Sequence, residues 1–352
     1  MSYTPSVLVS CPNLQENLDR IFTIDAASFY RDPIPFTEYL MSPINRNGIS
    51  AMVSTGGSKI RTATLTYQPR ILPSEVQSDV TAYCSATTER GNTSEDYSID
   101  TTKNLFLDQQ FDVEKLKSSC EDNEMWFQEQ IMKLVAAMDT AVNAKNATQA
   151  AALLGGWSSD VSGVPFVSVD GSDNLVVQTL QPSSAFAPFP ATMQSVQSAL
   201  EASNFGQSAL FGGFQLDNYL KLIESGCCAN YGLDIADIQA RFGMASVRDR
   251  NVATALGGNE YAMAVSNGAL QVIDYNRWTG LFAAQDSNQS YGTIQSPATG
   301  LRYDLVVKHD CGVIDVTLTA TTKVVALPAD MYQTGDHLEG VKGLARIKVT
   351  NV

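Results

Sequence analysis

Near the C-terminus, apolar and polar residues alternate with period two along two neighbouring stretches. Across residues 301–308 the odd positions Leu301, Tyr303, Leu305 and Val307 are apolar, and across 314–320 the even positions Ile314, Val316, Leu318 and Ala320 take that role. This alternation predicts two strands, each with one buried and one wet face. If Cys311-Gly312 forms a two-residue turn, Leu305 faces Leu318 and Val307 faces Val316, while Lys308 stands opposite Asp315 on the other face. A slip of one residue would set Leu305 against Thr317, so pattern and register support each other. Each arm is about 10 residues, or roughly 33 Å of ribbon.

Other stretches carry other periods. Residues 1–45 hold Pro5, Pro12, Pro33, Pro35 and Pro43 with little periodicity, which predicts an extended arm with a short helix over 14–22 that must lie on something else. Residues 46–99 predict a projecting β-hairpin. Thr62, Thr64 and Thr66 alternate with Ala63, Leu65 and Tyr67, and Val80, Ala82 and Cys84 form a second alternating run. So few large apolar residues cannot make a core of their own.

Over about 112–154 the period turns helical. Phe127, Ile131, Leu134, Val135, Met138 and Val142 fall on one stripe, Asp112 is placed as N-cap, Ser119 with Asp122 allows a restart after a kink, and Gly155-Gly156 ends the helix. Residues 164–169 and 175–180 flank a turn-forming Asp170-Gly171-Ser172-Asp173-Asn174, which lacks the full ladder of a calcium loop. Helices are expected over 191–202, 217–224 and 234–242, the last capped by Asp234, and strands over 262–265 and 270–275.

The chain has 352 residues, with charged side chains at 17% and mean hydropathy near zero. A surface with few charges fits one buried against partner subunits. A net charge of −14 argues against a sequence-reading nucleic-acid module, though not against a container for nucleic acid. The six cysteines show no CxxC spacing and read as free thiols. No apolar run reaches the length of a membrane span, and Leu8-Val9-Ser10-Cys11 lacks the flanks of a lipoprotein signal.

Catalytic patterns are sparse. The two histidines, His309 and His337, have no GxSxG partner, and His309-Asp310-Cys311 is half a zinc site without a second half. Gly56-Gly57-Ser58-Lys59 lacks the spacing of a phosphate loop, and three N-x-[ST] sequons begin at Asn92, Asn146 and Asn288. No cofactor or metal is expected. Charge is more informative. Between Tyr39 and Ser74 there is no acidic residue but there are Arg46, Lys59, Arg61 and Arg70, while residues 75–124 hold twelve acidic and four basic side chains. Either these are two solvated faces, or the basic ribbon of one copy lies over the acidic stretch of a neighbour, making the four cations candidate inter-subunit contacts.

The stretch Arg248-Asp249-Arg250-Asn251-Val252-Ala253-Thr254-Ala255-Leu256-Gly257 resembles the inner-domain segment of tailed-bacteriophage major capsid proteins of the Hong Kong 97 type. Gly268-Ala269-Leu270-Gln271-Val272-Ile273-Asp274-Tyr275-Asn276 is similar to the family's next segment along the chain. Gly300-Leu301-Arg302-Tyr303-Asp304-Leu305, on through Ala326-Leu327-Pro328-Ala329-Asp330, looks like the family's peripheral strand pair. The order of modules resembles the family over nearly the whole chain.

The resemblance implies an α+β shell subunit that is not an enzyme. It divides the chain into an N-terminal arm (1–45), an extended loop (46–99), a peripheral domain (100–164 and 296–352) with the long helix as spine, and an axial domain (165–295). The expected partners are other copies in hexamers and pentamers, a portal, separate scaffolding or decoration proteins, and packaged double-stranded DNA held without specific contacts. No membrane is expected as a partner. The location would be the virion, after assembly in the host cytoplasm. Lys59 is the lone lysine of the presumed loop, but nothing matches the asparagine and glutamate of the family's covalent cross-link, so none is expected. The chain as given also lacks a long charged N-terminal helix, which argues against a fused scaffold. Two rivals remain, an encapsulin-like compartment shell and a soluble hydrolase using carboxylates.

Overall fold

The computed structural model describes residues 14–30, 33–43, 45, 50–53, 59–67, 93–112, 123–154, 167–171, 175–179, 198–200, 208–213, 244–278, 284–286, 288–310, 312–327 and 343–351. In chain order the elements begin with helices α1 (Leu14–Phe29) and α2 (Pro35–Met41). Strands β1 (Ser50–Val53), β2 (Ile60–Tyr67), β3 (Thr93–Asp100) and β4 (Leu105–Asp112) lead to helix α3 (Asn123–Ala152). Strands β5 (Val167–Val169), β6 (Leu175–Thr179), β7 (Ser208–Gly212) and β8 (Met244–Arg248) precede helix α4 (Arg250–Leu256). The chain closes with β9 (Tyr261–Ser266), β10 (Leu270–Tyr275), β11 (Ala284–Asp286), β12 (Gln289–Gln295), β13 (Arg302–Asp310), β14 (Val313–Ala326) and β15 (Leu344–Asn351).

The terminal hairpin has the expected register: Leu305 pairs with Leu318, Val307 with Val316 and Lys308 with Asp315. Asp310 pairs with Val313, leaving two residues for the turn, and Gly312 takes φ 89°, where a side chain would be strained. Leu301, Tyr303, Leu305, Val307, Ile314, Val316, Leu318 and Ala320 are all buried. Strand β14 organises the sheet around it. Its first half lies between β13 and β4 and its second half pairs with β10, while β12 and β11 extend the far side.

Helix α3 runs 30 residues, and every member of the expected stripe is buried. Burial extends beyond the stripe to Met132, Ala136, Ala147 and Ala150, because α1, α2 and α4 pack against the helix as well as β4 and β14. Asp112 is not its cap. It is the last residue of β4 and pairs with Val313. Ser119, Asp122 and Gly155-Gly156 lie outside the described residues.

The N-terminal stretch departs from the extended arm expected for 1–45, since its described part is mostly helical. Pro35 occupies the first turn of α2, where a missing N–H leaves no hydrogen bond unmade, so it starts a helix rather than breaking one. Helix α1 runs seven residues past the expected Phe22 because Ile21, Phe22 and Phe29 find a core to pack on, alongside buried Leu18. The prolines marked boundaries, and tertiary contacts decided what lay between them.

Residues 50–53, 60–67 and 93–100 form a three-stranded antiparallel sheet in the order β1-β2-β3, with β3 rather than the run at Val80, Ala82 and Cys84 as the described partner of β2. Those three residues lie outside the described part. The sheet's buried apolar side chains, Ala63, Leu65 and Ile99, with Tyr97 packed against them, complete a small core with Ala269, Ile273, Val325 and Leu327 of the β10–β14 region. The ribbon therefore rests on the main sheet at this end.

The third sheet has the order β5-β6-β15-β9-β7-β8, with parallel pairs β6–β15 and β7–β8. The expected hairpin at 170–174 joins β5 to β6, with Val169 opposite Leu175, and β9 and β10 match the strands expected at 262–265 and 270–275. Pairing also joins stretches far apart in sequence. Strands β10, β11 and β12 lie in the sheet of the terminal hairpin, and β15 returns to lie between β6 and β9. Residues 198–200 are helical, while the helices expected at 217–224 and 234–242, with the Asp234 cap, lie outside the described residues.

Candidate inter-subunit surface and buried carboxylates

Of the four candidate cations, Lys59 and Arg61 are described and Arg46 and Arg70 are not. Lys59 is exposed at the start of the ribbon, and its carbonyl accepts from Thr101 N (2.9 Å) and Thr101 Oγ1 (2.7 Å). Arg61 turns inward. Period two puts it on the face of Ala63 and Leu65, where its guanidinium lies 5.4 Å from the centroid of the Tyr275 ring. Part of the acidic run meets the basic strand within the same chain, since β3, bearing Glu95, Asp96 and Asp100, is the neighbour of β2. Thr64 Oγ1 donates to Asp96 Oδ1 at 2.6 Å, and Lys323 Nζ donates to Ser98 O at 2.6 Å. Two hydrogen bonds from Thr102 hold the Asp100 carboxyl below the ordinary range.

The hairpin's wet face is continued by β4, which lies beside β14 with Phe106 opposite Thr319 and Asp108 opposite Thr317. Thr317 Oγ1 donates to Asp108 Oδ1 at 2.8 Å. Phe106 is 71% exposed and Ile60 59% exposed, both outside either core.

Three carboxylates lie in the interior among the described residues, Asp139, Asp249 and Asp304, and sequence reasoning named none of them as a site. Asp304, on the face of β13 expected to be wet, accepts from Arg277 N (2.9 Å), and burial raises its carboxyl above the ordinary range. Asp139 sits on the buried side of α3. Its Oδ2 accepts from Tyr30 Oη (2.6 Å) and Ser296 Oγ (2.7 Å), and its Oδ1 accepts from Thr299 Oγ1 (3.2 Å) and Tyr303 Oη. Four hydroxyls thus converge on one carboxylate and tie the segment after α1 to α3 and the start of the hairpin. Burial pushes the Asp139 carboxyl above the ordinary range, against the pull of its hydroxyl donors. Tyr30 and Tyr303 are pushed up by burial and by the charge on Asp139, and the nearby Glu38 carboxyl is raised by burial and then by Asp139.

Asp249 caps α4. Its Oδ1 accepts from Asn251 N (2.8 Å) and Val252 N (3.1 Å), satisfying donors that open the helix. Its Oδ2 accepts from Phe36 N (3.2 Å) of α2 and Asn143 Nδ2 (3.1 Å) of α3. Asn143 Oδ1 in turn accepts from Thr37 N and Thr37 Oγ1, both at 2.9 Å. Gly257, at φ 99°, ends α4 by donating to the carbonyls of Ala253 and Thr254. An acidic residue amid an apolar stripe, and Asp immediately before a helical run, are the signals that would have found Asp139 and Asp249. In both cases the donors are already matched to the oxygens, so the arrangement joins elements.

Among the described residues, no group of three or more His, Cys, Asp or Glu is placed to hold a metal ion, and no helix is long and apolar enough to cross a membrane. His309 lies in β13 opposite Ile314, its N–H bonded to Asn288 O (2.9 Å), whereas His337 and all six cysteines lie outside the described residues. Asn146, the sequon residue within α3, is buried and donates to Thr37 Oγ1 at 3.2 Å, so it is closed to glycosylation in the folded chain.

No protein-family model matches the chain, and no curated protein matches it in sequence. The chain is similar to solved structures from phages. One from Mycobacterium phage Che8 shares 9% identity at a TM-score of 0.41, with 85% of this chain and 92% of the other covered. The capsid of Myoviridae phage XM1 shares 8% at 0.40, with 88% and 92% covered. The capsid of Ralstonia phage GP4 shares 11% at 0.38, with 89% of each covered. At this level of similarity a functional reading must rest on the chain's own residues.

Proposed function

We propose that this chain is the major capsid protein of a tailed bacteriophage, a non-enzymatic shell subunit of the Hong Kong 97 type. The observation that carries the reading is the ribbon β1–β3. Its described apolar face is too small to fold alone, and it is completed by strands about 170–270 residues further along the chain. A peripheral element held this way, beside a long buried helix and a long hairpin, suits a tile whose edges meet other tiles. The stretch from Arg248 to Gly257 that resembles the family's inner-domain segment folds as a strand end, an Asp cap, helix α4 and a glycine stop, with the cap bonded to α2 and α3.

In this reading α3 is the spine and the sheet around β14 the peripheral domain. The sheet of β5 to β9 is the axial domain, with β15 joining it from the C-terminus. Residues 1–45 and 46–99 are the arm and the extended loop, and Arg46, Lys59 and Arg70 meet neighbours. Copies assemble into hexamers and pentamers with a portal, and scaffolding or decoration proteins act as separate chains. Double-stranded DNA is held by confinement, since a subunit of net charge −14 offers phosphates little attraction. Assembly occurs in the host cytoplasm and the product is the virion head.

The test is to express the chain alone and examine it by sedimentation and negative-stain microscopy. Closed shells or capsomer-sized rings are expected, and a monomer at every concentration overturns the reading. Purified particles from infected cells should contain nucleic acid, whereas an enzyme cargo in its place would favour a protein compartment.

A further inference from the structure

The sequence holds two Asn-Gly pairs, Asn47-Gly48 and Asn267-Gly268, and the second is among the described residues. It forms the centre of the turn between β9 and β10, where Ala269 N donates to Ser266 O at 3.0 Å and Gly268 takes φ 85°. This turn joins two sheets. Ser266 N donates to Gly343 O just before β15, and Ala269 O accepts from Leu327 N just after β14, both at 2.9 Å. Asn-Gly is also the dipeptide most open to deamidation, because no side chain shields the attacking glycine nitrogen. That nitrogen attacks Cγ of the asparagine, the Cγ–Nδ2 bond breaks, and ammonia leaves with the proton the nitrogen gives up. Water then opens the cyclic imide to aspartate or isoaspartate, so neither an oxidant nor an enzyme is required.

Both reacting groups are held by the N-terminal segment. Buried Asn45 accepts from Gly268 N at 2.9 Å through Oδ1, while its Nδ2 donates to Leu40 O (3.1 Å) and Leu270 O (2.8 Å). This side-chain amide cannot turn over, since the carbonyls only accept and the Gly268 N–H only donates. Tyr39 Oη donates to Asn267 Oδ1 at 2.7 Å, and its ring is seated 5.1 Å from that of Phe211. Burial raises the Tyr39 hydroxyl well above its ordinary range, so it keeps its proton in the mildly alkaline conditions that speed deamidation. We propose that Asn267-Gly268 is a deamidation site that Tyr39 and Asn45 hold closed, and that detaching their segment from the β9–β10 turn opens it. The attacking nitrogen is bonded away to Asn45, and the side chain it would attack is bonded away to Tyr39. Isoaspartate at position 267 adds a carbon to the backbone of the turn and breaks the Ala269–Ser266 bond. The change therefore marks permanently a chain whose N-terminal segment has come away. This guard operates within one chain and does not depend on the shell reading.

Peptide mapping by mass spectrometry, over a time course of the dilute subunit in mildly alkaline buffer, reads the amide-to-acid conversion at Asn267. In the folded wild type it should run at least about tenfold more slowly than in urea, the factor being set by local opening. Asn45→Ala and Tyr39→Phe should each speed the folded rate several-fold, about the worth of one buried hydrogen bond. Ile314→Val weakens the same core towards the far end of β14 and should leave the rate as it is. Near-UV dichroism establishes that each variant is folded before timing, and Tyr39→Phe, which keeps the ring, carries the test if Asn45→Ala does not fold. A folded wild type that converts as fast as the chain in urea overturns the proposal. So do folded Asn45→Ala and Tyr39→Phe variants that keep the wild-type rate. Equal acceleration by Ile314→Val overturns it as well, since the site would then open only with the whole chain.

Discussion

Asp139 and Asp249 are both buried carboxylates, but their donors differ in kind. Asp249 accepts two N–H groups from its own helix, so much of its role is local capping. Asp139 is held by hydroxyls alone, from Tyr30, Ser296, Thr299 and Tyr303, none of which brings a positive charge. Burial outweighs these donors, so its carboxyl titrates above the ordinary range in the folded chain. An acid raised on folding contributes stability that is fully present below its unfolded value, about pH 4, and is lost as pH rises through the folded value. Tyr30 and Tyr303 are also raised and stay neutral across this range, which leaves Glu38 as the other titrating group named against Asp139. In urea unfolding of the dilute subunit, the difference between Asp139→Asn and wild type should move in favour of the variant as pH rises from about 4 to 7. A difference that stays flat across the series would show that Asp139 does not titrate there.

At the scale of elements, the hairpin was legible to the residue because two signals agreed, a period of two interrupted in the first strand at Val306 alone and a glycine as the second residue of the turn. The register makes a paired prediction. Val316→Thr places a hydroxyl in the apolar core and should cost about 1–3 kcal/mol, while Thr319→Val, three steps along and on the opposite face, should stay within about 0.5 kcal/mol. Urea midpoints of the two variants measure the contrast, and equal losses would mean the register is wrong. Elements whose partners are distant were harder to read. In β4 the run Leu105-Phe106-Leu107 interrupts the alternation, and β3 is mostly polar, so neither announces a strand; pairing with β14 and β2 makes them strands. Helix α1 was underestimated for the same reason, since the core under Phe29 is built from residues far along the chain. Of the candidate surface, the charge runs were readable. The inward turn of Arg61 and the exposure of Phe106 were not, because both depend on which strand lies alongside.

For the whole molecule, the division into two cores sets an order of opening. The larger core gathers α1 to α4 and parts of two sheets, whereas the ribbon contributes Ala63, Leu65 and Ile99 to the smaller one, with half-buried Tyr97 packed against them. Amides of β2 and β3 should therefore exchange with solvent well before those of α3. Leu65→Ala should speed exchange in β2 and β3 about thirtyfold, from about 2 kcal/mol of lost packing, and leave α3 unchanged; acceleration throughout the chain would mean the cores open as one. Strand β14 adds a constraint in time. Asp108 on β4 bonds Thr317 on β14 across 209 positions of sequence. At roughly 5–20 residues per second, β4 leaves the ribosome roughly 10–40 s before its partner strand is made. During synthesis it lacks β14, so this part of the sheet takes shape only after β14 has been made. In the shell reading, a copy cannot meet its neighbours through this completed sheet before its own β14 is in place.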